Sequence, residues 1–266
     1  MKTLIKNVAL YQQGAVTENQ NILIEDTKII DFPKDTEQLA CDEIIDGKGM
    51  LALPGLVNTH THVAMTLFRS YADDMELMDW LQNKIWPAED HLDDDIVYWG
   101  SMLAFAEMIR GGTTAFCDMY MFMDSCAQAA DKAGIRGNLA RGLAGISPNA
   151  QTGLKENIAL FQKWNGAGDG RFKVMLGPHA PYTCPPDYIK QVRDVGEKYG
   201  IPIHIHLSET KGEVENCLKE YGKTPIALMN DLGLFDLPTL AAHCVHVTEE
   251  DIAIMKEKHV CVAHNP

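Results

Sequence analysis

The sequence predicts an α/β chain built as a (β/α)8 TIM barrel, preceded by a small β-sandwich segment. Three observations predict it. From Leu51 onward, short apolar runs alternate with stretches of helical spacing, which makes seven candidate strands with helices between them. Neither G-x-G-x-x-G nor GxxxxGK[ST] is present, although a nucleotide-binding open sheet should carry such a turn after an early strand. Histidines recur at the ends of successive candidate strands, where a barrel assembles its chemistry from the βα loops.

Residues 1–50 hold short alternating segments, such as 21–25 (NILIE) and 28–31 (KIID), separated by polar turns; they read as small antiparallel strands of a first domain. Residues 51–266 form the second domain. There LALPGLVNTHTH is strand-like, and residues 93–110 carry Ile96, Trp99, Leu103 and Ala106 at helical spacing before stopping at Gly111-Gly112. The alternation continues through TTAFCDM, a helix near 124–133, IRGNLARGL, a helix after Gly153, FKVMLGPH, a helix at 186–199, and IPIHIHLSE. Helices near 211–221 and 224–232, then TLAAHCVH, a helix opening at Thr248, and HVCVAHNP complete the series.

The charge balance excludes several partners. Acidic residues outnumber basic ones 37 to 23, a net charge of -14, so the clustered Lys and Arg of a nucleic-acid or anionic-membrane surface are missing. No stretch reaches the roughly 18 apolar residues of a membrane span. Seven cysteines without a CxxC pair suit a reducing compartment, and the cytoplasm is the expected location. A small soluble substrate follows. Self-association into a homo-oligomer is left open by the sequence.

NTHTHVAMT sets His60 and His62 two apart, on one face of an extended strand. Alone, an HxH pair is better explained by one hydrogen-bonded core histidine and one loop histidine. The pattern is broader: His60 and His62 end the first strand of the series, His179 the fourth, His206 the fifth and His264 the seventh, while His243 lies in the sixth. Packing alone gives histidines no reason to follow strand order, so a metal site is predicted. Nitrogen donors suit Zn(II), with Fe(II), Mn(II) or Ni(II) compatible, and such an ion generates hydroxide at neutral pH. Hydrolytic chemistry is expected. Glu209, three residues past His206, is placed to leave the strand and reach a substrate beside the ion; an N-cap or a solvated loop carboxylate is its plain alternative. His204 shares a face with His206 and rivals it as a ligand, but sits one step deeper, among the barrel filling.

LPGLVNTHTH, RSYADD, MDWLQNKIWPAE, GPHAPYT, HIHLSET, AAHCVH and VAHNP, in this order, resemble the amidohydrolase superfamily, and specifically the 5-methylthioadenosine/S-adenosylhomocysteine deaminases. The resemblance implies deamination at C6 of an adenine nucleoside. It implies His60, His62 and His206 as zinc ligands, Glu209 as the carboxylate that bonds and protonates the purine ring, and His243 as the group that orients the attacking water or polarises the site. It further implies His179 as substrate-binding, Glu89 on the ribose hydroxyls and Arg141 near the 5′ substituent; Trp80 walls the same pocket or packs in the core.

The family pattern also contains an aspartate ligand ending an eighth strand, which is expected beyond Pro266. Residues 1–266 alone are therefore expected to bind zinc weakly and to deaminate poorly. Where some members place a second arginine for an amino-acid carboxylate, this chain reads TGLKEN, which leaves the choice among methylthioadenosine, S-adenosylhomocysteine and adenosine open. Guanine or cytosine deamination, triazine dechlorination and a catalytically inactive binding protein are the rival readings.

Overall fold

The computed structural model describes all 266 residues, which divide into two compact units, Met1–Gly55 and Leu56–Pro266. In the first unit, β1 (Lys2–Gln12), β2 (Ala15–Glu25), β3 (Lys28–Asp31), β4 (Glu43–Asp46) and β5 (Leu51–Ala52) form one sheet. β1, β2 and β3 pair antiparallel, as their alternation predicts. The expectation of antiparallel strands throughout is corrected here: β4 and β5 both run parallel to β1. Parallel neighbours need long connections rather than tight turns, and the polar stretch 32–42 supplies one.

The sequence expectation divides the chain after residue 50, whereas the structure divides it after Gly55. LALPGLVNTHTH is not one strand. Leu51 and Ala52 pair with Ala9 and Leu10 of β1, and Pro54 and Gly55 interrupt the run. The first strand of the second unit starts only at Leu56.

That unit contains β6 (Leu56–Thr61), β7 (Thr113–Tyr120), β8 (Arg136–Leu143), β9 (Phe172–Pro178), β10 (Ile203–Leu207), β11 (Thr239–His243) and β12 (Cys261–Ala263). They form a parallel sheet in strict chain order, β6 to β12, which is the order that successive βα crossovers of one hand produce. The sheet curls into a nearly closed barrel: the His60 ring on β6 lies 5.2 Å from the His243 ring on β11.

The crossover helices are α1 (Asp94–Arg110), α2 (Met123–Ala133), α3 (Ala150–Trp164), α4 (Pro186–Tyr199), α5 (Lys211–Tyr221), α6 (Pro225–Asp231) and α7 (Glu249–Glu257). Their ends follow local chemistry. Asp93 caps α1 by accepting the Ile96 N–H, Thr210 caps α5, and Thr248 with Asp251 makes a capping box on α7. Gly200 ends α4 in the left-handed region that a β-carbon disfavours. α3 begins at Ala150, not after Gly153. Gly153 is buried within it and does not break it; a Cβ there would meet Leu143 at 3.5 Å, an ordinary contact.

In α1 the stripe read from the sequence is the outer one. Trp99 is 62% exposed and Leu103 47%, while Val97, Gly100, Ser101, Ala104 and Phe105 are buried. Small residues win this face because the backbone there comes close: a Cβ on Gly100 would lie 2.9 Å from the Ala64 carbonyl oxygen. Two layers of core result, around Phe105, Phe116 and Phe172 on one side and around Ile189, Ile203 and Phe235 on the other. Met119, Ala140 and Met175, with Leu240 against them, form a separate small cluster.

Candidate active site

β6 and β10 bring three imidazoles to one point. His60 and His206 lie within their strands and His62 one residue beyond β6, and the ligand atoms of the three all lie within 4.8 Å of one another. His62 Nε2 and His206 Nε2 are 3.3 Å apart, close to the roughly 3.4 Å expected between two nitrogens of one tetrahedral zinc. The other ring nitrogens are engaged elsewhere. His62 Nδ1–H donates to the Met119 carbonyl at 2.6 Å and His206 Nδ1–H to the His179 carbonyl at 2.6 Å, so in both rings the Nε2 lone pair is free. Burial keeps the rings neutral: it pushes His60 down to about 2 and lowers His62 and His206. Neutral, oriented nitrogen donors fit a divalent cation, and this group is placed to hold one.

His204 is not part of that convergence. It is buried, and its Nε2 lies 3.0 Å from His60 Nδ1. His264 is exposed, with Nδ1 bonded to the His243 carbonyl at 2.9 Å.

Beside the histidines lies a cavity of about 380 Å³, lined by His62, Trp80, Glu89, Tyr120, Arg141 and His179 among others. Four residues far apart in the chain and singled out from sequence (Trp80, Glu89, Arg141 and His179) thus meet around one space. His179 accepts a fixed tautomer from its neighbour: the Thr183 hydroxyl donates to the Ala180 carbonyl and so receives His179 Nδ1–H, at 2.9 Å. Burial lowers His179 to about 4. Glu89 is raised by burial, against the pull of the Tyr120 hydroxyl, which donates to its Oε1 at 2.7 Å. Trp80 donates its indole N–H to the Ala72 carbonyl. Arg141 reaches the cavity already paired, its Nε 2.8 Å from Glu156 Oε2 and another N–H on the Gly142 carbonyl.

Glu209 and His243 are not among the cavity-lining residues. They face each other at the ends of β10 and β11, with His243 Nε2 3.7 Å from Glu209 Oε1, and the His243 ring stacks 5.5 Å from that of His206. Burial raises the Glu209 carboxyl and His243 lowers it, burial being the larger effect. The turns here are strained: Ser208, His243 and Cys244 have φ of 52°, 70° and 51°, left-handed values that cost a non-glycine residue about 1–3 kcal/mol. Backbone bonds hold them, from Cys244 N–H to the Leu207 carbonyl and from Val245 and His246 N–H to that of Ser208.

Three supporting groups escaped the sequence reading. Asp118 on β7 accepts the Val63 N–H at 2.9 Å and so fixes the turn after His62; burial raises it to about 7. Tyr120, two residues on, holds Glu89. An acid and a tyrosine at i and i+2 in an apolar strand were a readable signal of one polar face. Glu213 accepts the backbone N–H groups of Ser208 and Glu209 at 3.0 and 2.8 Å, tying down the segment that carries Glu209. The Thr210-x-x-Glu213 spacing is that of a capping box, with the carboxylate reaching past the cap itself.

Known proteins are similar to this chain in sequence and in fold. Residues 51–266 match the amidohydrolase family. A 5-methylthioadenosine/S-adenosylhomocysteine deaminase from Dictyoglomus turgidum is 51% identical over 266 residues, all of this chain and 62% of that protein. One of the same name from Moorella thermoacetica is 55% identical over 225 residues, 85% of this chain and 53% of that protein. The chain therefore spans less than two thirds of the length of these relatives. Among solved structures, an adenosine deaminase from Xanthomonas campestris with bound zinc superposes with a TM-score of 0.92 at 30% identity, covering 99% of this chain and 62% of that one. A guanine deaminase from C. acetobutylicum shares the fold, with a TM-score of 0.90 at 21% identity, covering 100% of this chain and 68% of that one. With three oriented imidazoles at the carboxyl ends of a parallel barrel and a family match over most of its length, this chain belongs to the amidohydrolase family.

Proposed function

We propose that the protein is a metal-dependent hydrolytic deaminase that converts the adenine ring of 5-methylthioadenosine or S-adenosylhomocysteine, and by the same chemistry adenosine, to the hypoxanthine product and ammonia. The observation that carries this reading is the convergence of His60, His62 and His206 beside a cavity lined by Glu89, Arg141 and His179. The names of the relatives point the same way. Zinc is the ion of choice because of the nitrogen donors and the zinc in the Xanthomonas structure. A divalent ion held there supplies hydroxide at neutral pH, since it lowers the pKa of the water it binds to about 7.

The chain's own groups supply the rest. His243, with Nδ1 on the Asn265 carbonyl, presents Nε2 to orient the water that adds at C6. Glu209, whose carboxyl burial raises, delivers a proton to the adjacent ring nitrogen. A second proton transfer to the amino nitrogen lets ammonia leave as the C6 carbonyl forms. Glu89 has Oε2 left for the ribose hydroxyls once Tyr120 has taken Oε1, His179 holds the base, Trp80 walls the pocket and Arg141 lies near the 5′ substituent. An uncharged purine needs no basic surface, which suits the net charge of -14. Seven free thiols suit the reducing cytoplasm.

The test is ammonia release by the zinc-loaded protein from 5-methylthioadenosine, S-adenosylhomocysteine and adenosine, with guanine and cytosine as controls. Release from the adenine nucleosides that is lost in Glu209→Gln supports the proposal. Release from guanine or cytosine alone overturns it. Nucleoside binding by calorimetry without ammonia from any of the five, in a protein that also carries the expected eighth-strand aspartate, leaves a binding site and no enzyme.

A further inference from the structure

We infer that His204 is a positioning residue for the metal centre: it accepts the Nδ1 proton of His60 and so keeps His60 Nε2 a bare donor. This rests on the metal site proposed above. The three candidate ligands differ in how their rings are held. His62 and His206 give Nδ1–H to carbonyl oxygens, which can only accept, so their tautomers are settled whatever surrounds them. His60 instead meets another imidazole, His204 Nε2 at 3.0 Å, and an imidazole nitrogen can play either part. One proton lies between the two rings. If it belongs to His204, His60 carries its own proton on Nε2 and has no lone pair for an ion.

The surroundings leave this contact little freedom. His204 is 1% exposed, so water has no access to replace it. Its ring stands edge-on to that of His60, with centroids 5.1 Å apart and planes at 82°, which lets an in-plane nitrogen of one meet an in-plane nitrogen of the other. His204 and His206 share the inner face of β10, since they are two residues apart in a strand. β10 therefore supplies one ligand directly and the support for a second ligand that belongs to β6. Partners of this kind, hydrogen-bonded to the far nitrogen of a metal-bound histidine, typically contribute 10–100-fold to metal affinity.

The experiment is zinc affinity by chelator competition for wild type, His204→Phe and His204→Gln, with thermal unfolding of each metal-free protein as a check of folding. Phenylalanine fills the volume without an acceptor; glutamine returns an acceptor oxygen near the Nε2 position. The expected result is zinc binding about 10–100-fold weaker in His204→Phe and close to wild type in His204→Gln. Equal affinity in wild type and His204→Phe overturns the inference, and so does His204→Gln as weak as His204→Phe, which would make volume and not the acceptor the cause. A wild-type protein that binds no zinc overturns the metal site itself, and this inference with it. If His204→Phe does not fold, the 15N spectrum of the wild-type histidines decides: a proton on His60 Nδ1 supports the inference, and a bare Nδ1 overturns it.

Discussion

Glu213→Gln should change how stability depends on pH, by an amount the structure sets. Glu213 is 8% exposed, and its carboxyl is raised from 4.5 to about 7 by burial, against the N–H groups of Glu209 and Ser208, which lower it. In the unfolded chain it titrates near its ordinary value. Between about pH 4.5 and 7 the folded protein therefore holds a proton that the unfolded chain has released, so stability is full below this window and falls as pH rises through it. A carboxyl raised from 4.5 to about 7 corresponds to a loss of about 3 kcal/mol by pH 8. Glutamine cannot ionise and lacks this loss. It has a constant penalty of its own, about 1–3 kcal/mol, because its amide nitrogen faces a backbone N–H where the carboxylate accepted. The penalty cancels in the comparison across pH. Urea unfolding of both proteins from about pH 4 to 8 should show the difference between them moving by about 3 kcal/mol in favour of Glu213→Gln. Parallel stability curves, or a difference moving the other way, would refute the argument that burial dominates at Glu213.

Two further outcomes are expected. Tyr120→Phe removes the hydroxyl that donates to Glu89 at 2.7 Å, a bond to a charged group worth about 1.5–3 kcal/mol, so calorimetry should show nucleoside binding about 10–100-fold weaker with zinc affinity unchanged; unaltered nucleoside binding would remove Glu89 from the substrate site. Gly177→Ala puts a Cβ 2.6 Å from the Arg141 carbonyl oxygen, backbone that cannot swing aside, and should destabilise by about 1–3 kcal/mol in thermal or urea unfolding, whereas full stability would show that β8 and β9 can separate locally.

The site was more legible than its supports because chemistry and support leave different marks in a sequence. Histidine has few uses, and its recurrence at strand ends in chain order was visible in the order of letters. Asp118 accepts from a backbone N–H 55 residues away, Tyr120 donates to a carboxylate 31 residues away, and Glu213 accepts from two backbone N–H groups 4 and 5 residues away. Of these only the local one leaves a spacing to read, and it looks like an ordinary helix cap. α1 failed as a pattern for a similar reason: apolar letters marked Trp99 and Leu103, but the neighbouring elements come close enough on the other face to demand Gly100 and Ala104.

By itself the sequence determined the alternation of strands and helices, the punctuation between them and the donor types available, because these depend on local backbone preference and side-chain chemistry. Only the tertiary structure decided that β4 and β5 run parallel to β1, which face of α1 is buried, that Arg141 is already paired with Glu156, and that His204 lies 3.0 Å from His60 although 144 residues separate them. Each of these is a contact between segments far apart in the chain. Such contacts are set by the curl of the sheet and the space between packed elements, which no local stretch encodes.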